Sequence, residues 1–260
     1  MFTDQRREEI LKILSQADSI SVNELANILS VSPVTIRSDL NYLNDRNLLI
    51  RTHGGAISIK ETEERSIDKD YDSRKKKNLA QKNEIAHVAI NYIKNGDCIV
   101  LDASSTCYEL AQLIYQAELK LTIVTNGLRT ANLLKENPNL TVIVIGGIAK
   151  GNSNALEGLL GVDMLYKISI NRAFVSSNAV SLADGLLDFS LYEVELKKKI
   201  VETALETYLL VDSSKFEKRS IASFASISQI KCLISDHKLS HEIVSSYSQY
   251  VDIHLAPQKN

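Results

Sequence analysis

Five stretches of this 260-residue chain place small, hydroxyl-bearing, amide or cationic side chains directly after short apolar, β-prone runs. CIVL is followed by Asp102-Ala103-Ser104-Ser105-Thr106, LTIVT by Asn126-Gly127, LTVIVI by Gly146-Gly147, RAFVSS by Asn178, and TYLLV by Asp212-Ser213-Ser214-Lys215. The chemistry these residues suit is capture of an anion. Ser104, Ser105 and Thr106 precede a helical pattern, where free N–H groups and the helix dipole favour a phosphate, and Lys215 adds a compact positive charge. In any single loop such residues are also ordinary turn formers. Five of them at equivalent places point to one binding edge.

A second group with chemical potential lies in DGLLDFSLYEVE, Asp184 to Glu195, whose carboxylates can accept hydrogen bonds from sugar hydroxyls or, in an enzyme, move protons. Each also has a plain reading. Asp184-Gly185 is a turn signal, and Glu193 and Glu195 can simply complement the dipole of the helix they begin. A third group is Ser32 to Leu43, SPVTIRSDLNYL. Ser32 is a good N-cap and Pro33 fits the first helical position. At 100° per residue Ile36, Leu40 and Leu43 share one face, while Val34, Arg37, Ser38 and Asn41 share the opposite, outward one. A polar, partly cationic helix face of this kind suits the DNA major groove. Asp39 falls near the packing side and reads as structural.

The elements that must position these groups are legible in the pattern. Arg6 to Leu14 is amphipathic at helical spacing, and Ser21-Val22-Asn23-Glu24 matches a capping box opening a second helix through Leu25, Ile28 and Leu29. The helix from Ser32 follows after a tight connection, giving a helix-turn-helix. LLIRTHGGAISI then reads as a hairpin wing with Arg51, Thr52, His53 and Gly54 at its tip, able to reach phosphate or the minor groove or merely to close the small core. Residues 1–59 form this domain. Residues 60–82, charge-dense and almost free of large apolar residues, read as a linker leading into a solvated helix start, with the basic run Arg74 to Lys77 able to contact DNA backbone but, diluted by acidic residues upstream, better read as a solvated face. From 83 to 260 short β-branched strands alternate with amphipathic helices, the grammar of a mostly parallel sheet covered on both faces, whose ligands bind beyond the C-terminal strand ends.

Bulk composition narrows the class. A net charge of −2 rules out a generally basic nucleic-acid coat, so DNA contact must come from a local patch. The N-terminus lacks a signal-peptide core and no apolar run reaches membrane-spanning length, so a cytoplasmic protein with no membrane partner is expected. Cys98, Cys107 and Cys232 are odd in number and unpaired by spacing, which fits reduced thiols. No four-ligand metal spacing appears. His237 and His241 lie four apart with no carboxylate nearby to complete a set, and read as a solvated pair.

The run SVNELANILSVSPVTIRSDLNYLNDRNLLIRTHGGA resembles the N-terminal winged helix-turn-helix of the DeoR family of bacterial transcriptional regulators. The family usually carries two consecutive arginines after Thr-Ile; here Arg37 is followed by Ser38, so a phosphate or guanine contact of relatives is lost and their operators do not transfer. The second half resembles the family's effector domain, which has the isomerase-like α/β fold of ribose-5-phosphate isomerase, glucosamine-6-phosphate deaminase and CoA transferases. That likeness implies a phosphorylated sugar bound by Asp102, Ser104, Ser105, Thr106, Thr125, Asn126, Gly146, Gly147, Asn178, Glu193 and Lys215. Ser104 stands where the family has glycine, which narrows backbone approach to the ligand. FVSSNAV and TYLLVDSSK look most like repressors of lactose and tagatose-6-phosphate metabolism.

Two functions follow. The first is a repressor of a sugar uptake and catabolic operon, a homodimer or homotetramer that reads double-stranded operator DNA through Ser32, Val34, Thr35, Arg37, Ser38, Asn41 and the wing tip, needs no cofactor, and is controlled by the sugar phosphate. The second is a phosphosugar isomerase or deaminase fused to a DNA-binding module. An isomerase needs a tuned base with an acid opposite, and no pair here has an identifying spacing. A regulator needs only differential affinity of ligand for two states.

Overall fold

The computed structural model describes residues 3–17, 19–46, 48–51, 54–58, 71–150 and 153–258. The chain divides into two compact units, Met1–Asp70 and Tyr71–Asn260.

The first unit is three helices and a small antiparallel sheet. Helix α1 (Thr3–Ala17) is followed by strand β1 (Ser19–Ser21), α2 (Val22–Leu29), α3 (Pro33–Asp45), β2 (Leu49–Arg51) and β3 (Gly55–Ser58), with strand order β1-β3-β2. The local signals work as read. Ser21 and Glu24 form a reciprocal capping box, and Ser32 caps α3 by accepting from the Thr35 N–H at 3.2 Å. Ser30 closes α2 in the left-handed region, giving the abrupt turn into α3. Ile10, Leu14, Leu25, Ile36, Leu40 and Leu49 meet in one core. Asp39 is buried beneath it, accepting from Arg6 Nε at 2.6 Å and Arg7 Nε at 2.9 Å, so α1 and α3 are locked by charge as well as by apolar contact.

The second unit opens with α4 (Tyr71–Lys76) and α5 (Leu79–Ala89), both within or overlapping the stretch expected as linker and solvated helix start. That expectation needs correcting from Tyr71 onward. Tyr71 is fully buried and Lys82 nearly so, because the Lys82 ammonium folds back to donate to the backbone carbonyls of Arg74 and Lys77, satisfying its charge in place of water. Arg74, expected to be solvated, packs over the rings of Tyr71 and Phe189.

Strands β4 (Cys98–Leu101), β5 (Leu121–Thr125) and β6 (Leu140–Val144) alternate with α6 (Ser105–Gln116) and α7 (Leu128–Leu134). A two-strand excursion, β7 (Ile148–Ala149) with β8 (Leu156–Glu157), precedes β9 (Arg172–Val175). Then come β10 (Ala179–Ser181), β11 (Gly185–Asp188), α8 (Leu191–Thr203), β12 (Glu206–Leu210), β13 (Ala222–Ala225), β14 (Cys232–Ser235), α9 (His241–Tyr247) and β15 (Asp252–Leu255). Seven strands form one sheet in the order β15-β14-β12-β9-β4-β5-β6, every neighbouring pair parallel. The sequence pattern misses the separate antiparallel sheet β10-β11-β13, whose strands are too short to show a period.

Period-two alternation builds both faces of the parallel sheet. Ile99 and Leu101 of β4 face a core with Leu110 and Ile114, whereas Val100 faces the opposite core with Ala173, Leu209 and Ile200. The strand order reverses at β4 and β9: β5 and β6 extend to one side, β12, β14 and β15 to the other. In open parallel sheets such a reversal is the place where ligands bind, beyond the carboxyl ends of the strands, here β4 and β9. No helix among the described residues is long and apolar enough to cross a membrane.

Candidate functional site

In the first unit the outward face of α3 carries Val34, Arg37, Ser38 and Asn41, all exposed as the helical spacing requires. The structure divides the expected DNA-contact residues. Ser32 and Thr35 share a hydrogen bond between their hydroxyls at 2.9 Å, and Asn41 accepts from the Arg51 guanidinium, so the recognition helix and β2 of the wing are tied to each other. The Arg51 N–H also donates to Asn44 Oδ1 at 3.0 Å. Gly54 is exposed, while Thr52 and His53 lie outside the described residues. Tyr42 sits between the guanidinium groups of Arg7 and Arg46, 3.4 and 3.8 Å from its centroid, an arrangement the spacing did not reveal.

In the second unit several of the expected effector residues lie at the carboxyl ends of β4 and β9. Ser104 caps α6, its hydroxyl accepting from Cys107 N at 3.1 Å, which leaves the first-turn N–H groups of a twelve-residue helix pointing out of the strand end. Ser105 and Thr106 are buried in that first turn. Beyond β9, Lys215 approaches Asn178 Oδ1 at 3.5 Å. A third contributor was invisible in the sequence: α4 and the start of α5. Ser105 Oγ donates to the Arg74 carbonyl at 3.5 Å. Asn78, in left-handed backbone at φ 54°, donates through Nδ2 to Asp212 Oδ1 at 2.8 Å and to Ser214 Oγ at 3.0 Å. Burial pushes the Lys82 ammonium down to about 8, with the positive charges of Lys215 and Arg74 adding to the effect against the pull of Asp212. Arg74, Lys82 and Lys215 therefore act on one another electrostatically, and the backbone of Arg74 meets the first turn of α6 at Ser105.

A buried charge cluster is centred on Lys197. Its ammonium is 2.5 Å from Asp188 Oδ2, 3.2 Å from Asp102 Oδ2 and 4.0 Å from Glu193 Oε2, and it donates to the Ser176 carbonyl at 2.7 Å. Burial alone would lower the Lys197 pKa, but Asp188, Asp102 and Glu193 outweigh it and hold the amine protonated well above the ordinary lysine value. Burial works on Asp102 in the opposite sense, and Lys197 with the Ser104 and Ser176 N–H donors keeps its carboxyl below the ordinary range. Asp102 thus positions the β4 and β9 loops. Its two oxygens are occupied by them, which leaves it a weaker candidate for ligand contact than the sequence suggests.

Glu193 is the odd member. Burial, reinforced by Asp188, pushes its carboxyl up to about 7 despite Lys197 and Arg74. A carboxyl raised on folding favours the native state below its unfolded value, and the benefit is lost as pH rises through the folded value. Replacing Glu193 by Gln is therefore expected to raise stability at pH 8 by about 3 kcal/mol and to change it little at pH 5, which urea midpoints at the two pH values measure.

The remaining expected residues belong to a different construction. Thr125 Oγ1 accepts from Gly127 N at 3.0 Å and shapes its own loop, and Asn126 Nδ2 donates to the Leu156 carbonyl at 3.2 Å and holds the β8 segment. A Cβ on Gly147 would lie 2.5 Å from the Glu157 carbonyl oxygen, so glycine there serves close backbone approach. Gly146 is exposed. These four flank β5 and β6, on one side of the reversal. The expectation of a solvated His237 and His241 pair also changes. His237 Nδ1 lies 2.7 Å from Glu84 Oε2, a carboxylate distant in sequence. Glu84, Asp236 and His237 bring ligand atoms within 4.8 Å of one another, but Asp236 already accepts from Ser213 N, Ser213 Oγ and Lys238 N. All three cysteines are free. A surface cavity of about 380 Å³ between Lys75, Tyr108 and Arg129 includes none of the expected site residues.

Comparison with known proteins agrees with this division. The family model described as DeoR-like helix-turn-helix domain matches residues 6–62, and the DeoR C terminal sensor domain matches residues 77–237. The chain is similar to the HTH-type transcriptional regulator GolR of Listeria innocua, 36% identical over 95% of this chain and 96% of that one. It is also similar to two Haemophilus influenzae proteins. The L-fucose operon activator is 35% identical over 95% of this chain and 97% of its own length. The glycerol-3-phosphate regulon repressor is 33% identical over 88% of each.

Proposed function

The chain belongs to the DeoR family of transcriptional regulators, and from that premise we propose that it represses a sugar uptake and catabolic operon, with its DNA affinity set by a phosphorylated sugar bound between β4 and β9. The observation that carries the effector reading is the grouping of Lys82 with Arg74 and Lys215, beside the first turn of α6 where Ser105 meets the Arg74 carbonyl, at the point where strand order reverses. In this reading the phosphate takes the helix N-terminus and the cations, and the sugar hydroxyls face Asn178 and Glu193. Among the relatives, the glycerol-3-phosphate regulon repressor is named for a phosphorylated small molecule and the L-fucose operon activator for a sugar, which supports a ligand that is both.

The alternative of an enzyme carrying a DNA-binding module gives way, since the relatives that match along nearly their whole length are regulators. A second copy completes the reading: a homodimer or homotetramer in the cytoplasm places paired α3 helices on repeated or inverted half-sites. The test is a gel shift of the full chain on the promoter fragment upstream of the nearest sugar operon, titrated with a panel of sugar phosphates. At least one phosphosugar is expected to release the DNA, its unphosphorylated sugar being inert. Release by none of the panel, with no change in affinity, removes the effector reading, and tighter binding with ligand makes the phosphosugar a co-repressor in place of an inducer.

A further inference from the structure

The outward face of α3 has little left with which to read bases. Ser32 is occupied as the helix cap and by the Thr35 hydroxyl, and Asn41 is occupied by Arg51. The exposed remainder in the first half of the helix is Pro33, which has no N–H to offer, with Val34, Arg37 and Ser38. Val34 stands out because it is 70% exposed while Ile36, Leu40 and Leu43 are fully turned into the core. An isolated exposed valine is ordinary on a protein surface. This one occupies the N-terminal turn of a recognition helix, the turn that meets base edges, and its neighbours on that face are polar.

The apolar feature that the major groove presents is the C5-methyl group of thymine, and the guanidinium's preferred partner there is the O6 and N7 edge of guanine. Residues i and i+3 on a helix lie roughly 5–6 Å apart, and successive base pairs rise about 3.4 Å. We infer that Val34 reads a thymine methyl and Arg37 a guanine, so that each half-site carries a thymine within about two base pairs of a guanine. The inference rests on α3 being the reading helix of this regulator. Sequence preference at the thymine then comes from shape and methyl burial, with no hydrogen bond from residue 34.

The test uses an operator selected from random DNA by the full-length chain. Each thymine is replaced in turn by deoxyuridine, which removes the methyl group and leaves the base pair intact. One thymine per half-site, within two base pairs of a guanine, is expected to weaken binding about fourfold on replacement, the value of one buried carbon group. Val34→Ala should lose a similar factor on the parent operator and be insensitive to deoxyuridine at that position. Arg37→Ala should lose about tenfold or more and remain sensitive to it. The inference is overturned if Val34→Ala responds to the substitution as the parent does, or if no thymine replacement matters. If Val34→Ala and Arg37→Ala both bind as the parent does, the helix assignment itself falls. Thermal melts of each variant separate lost contact from lost fold.

Discussion

Asp39→Ala is expected to unfold the first unit at growth temperature and abolish DNA binding, while the second unit keeps its own melting transition. The carboxylate is 2% exposed and holds Arg6 and Arg7, whose side chains are 10% and 18% exposed. Removing the carboxylate takes away the acceptor that two largely buried guanidinium groups share, a loss of about 3–5 kcal/mol. A domain of this size is stabilised by roughly 0.05–0.15 kcal/mol per residue, so the loss takes most of what it has. The damage reaches function through geometry, because the same carboxylate fixes α3 against α1. Calorimetry of the full chain should show one transition lost or lowered by many degrees and the other unmoved. Binding of operator by Asp39→Ala at the parent affinity and temperature would sink the assignment of Asp39 as the clamp.

Lys197→Met is expected to have the largest effect in the second unit and to steepen its loss of stability between pH 5 and pH 8. In the parent, Lys197 holds the Asp102 carboxyl low, so that contribution to stability is present above the ordinary carboxylate range and is lost on acidification. Without the ammonium, Asp102 and Asp188 are buried with the counter-charge at 3.2 and 2.5 Å gone, and the Asp102 carboxyl rises. A raised carboxyl favours the folded state at low pH and disfavours it as pH climbs. The variant should therefore lose about 3–5 kcal/mol at pH 8 and recover part of it at pH 5. Urea midpoints of both proteins at the two pH values decide it, and equal midpoints at pH 8 would show that the cluster is held together by something other than Lys197.

What the sequence discloses is what it encodes within a few residues. The capping box at Ser21 and Glu24, the Ser32-Pro33 helix start and the inward angle of Asp39 are local, and the structure has each where periodicity puts it. The parallel sheet follows from strands whose apolar, β-branched character is visible one at a time. The charge cluster is different, because Lys197 meets Asp102 across 95 positions and Glu84 meets His237 across 153. No spacing rule joins them. Composition misleads most between Tyr71 and Lys82, where charge density reads as solvent exposure. A lysine that caps two carbonyls and one that points at water are the same letter. The glycines err in the other direction: Gly147 looks like a ligand-loop residue and is required by the backbone of Glu157.

Asn78 gives the molecule a mechanical property. The chain arriving from the first unit is fastened, within its first turns in the second, to Asp212 and Ser214, the loop that ends in Lys215. The turn between α4 and α5 and the loop that ends in Lys215 are thus one hydrogen-bonded piece, so a displacement of Asp212 is passed through Asn78 to that turn.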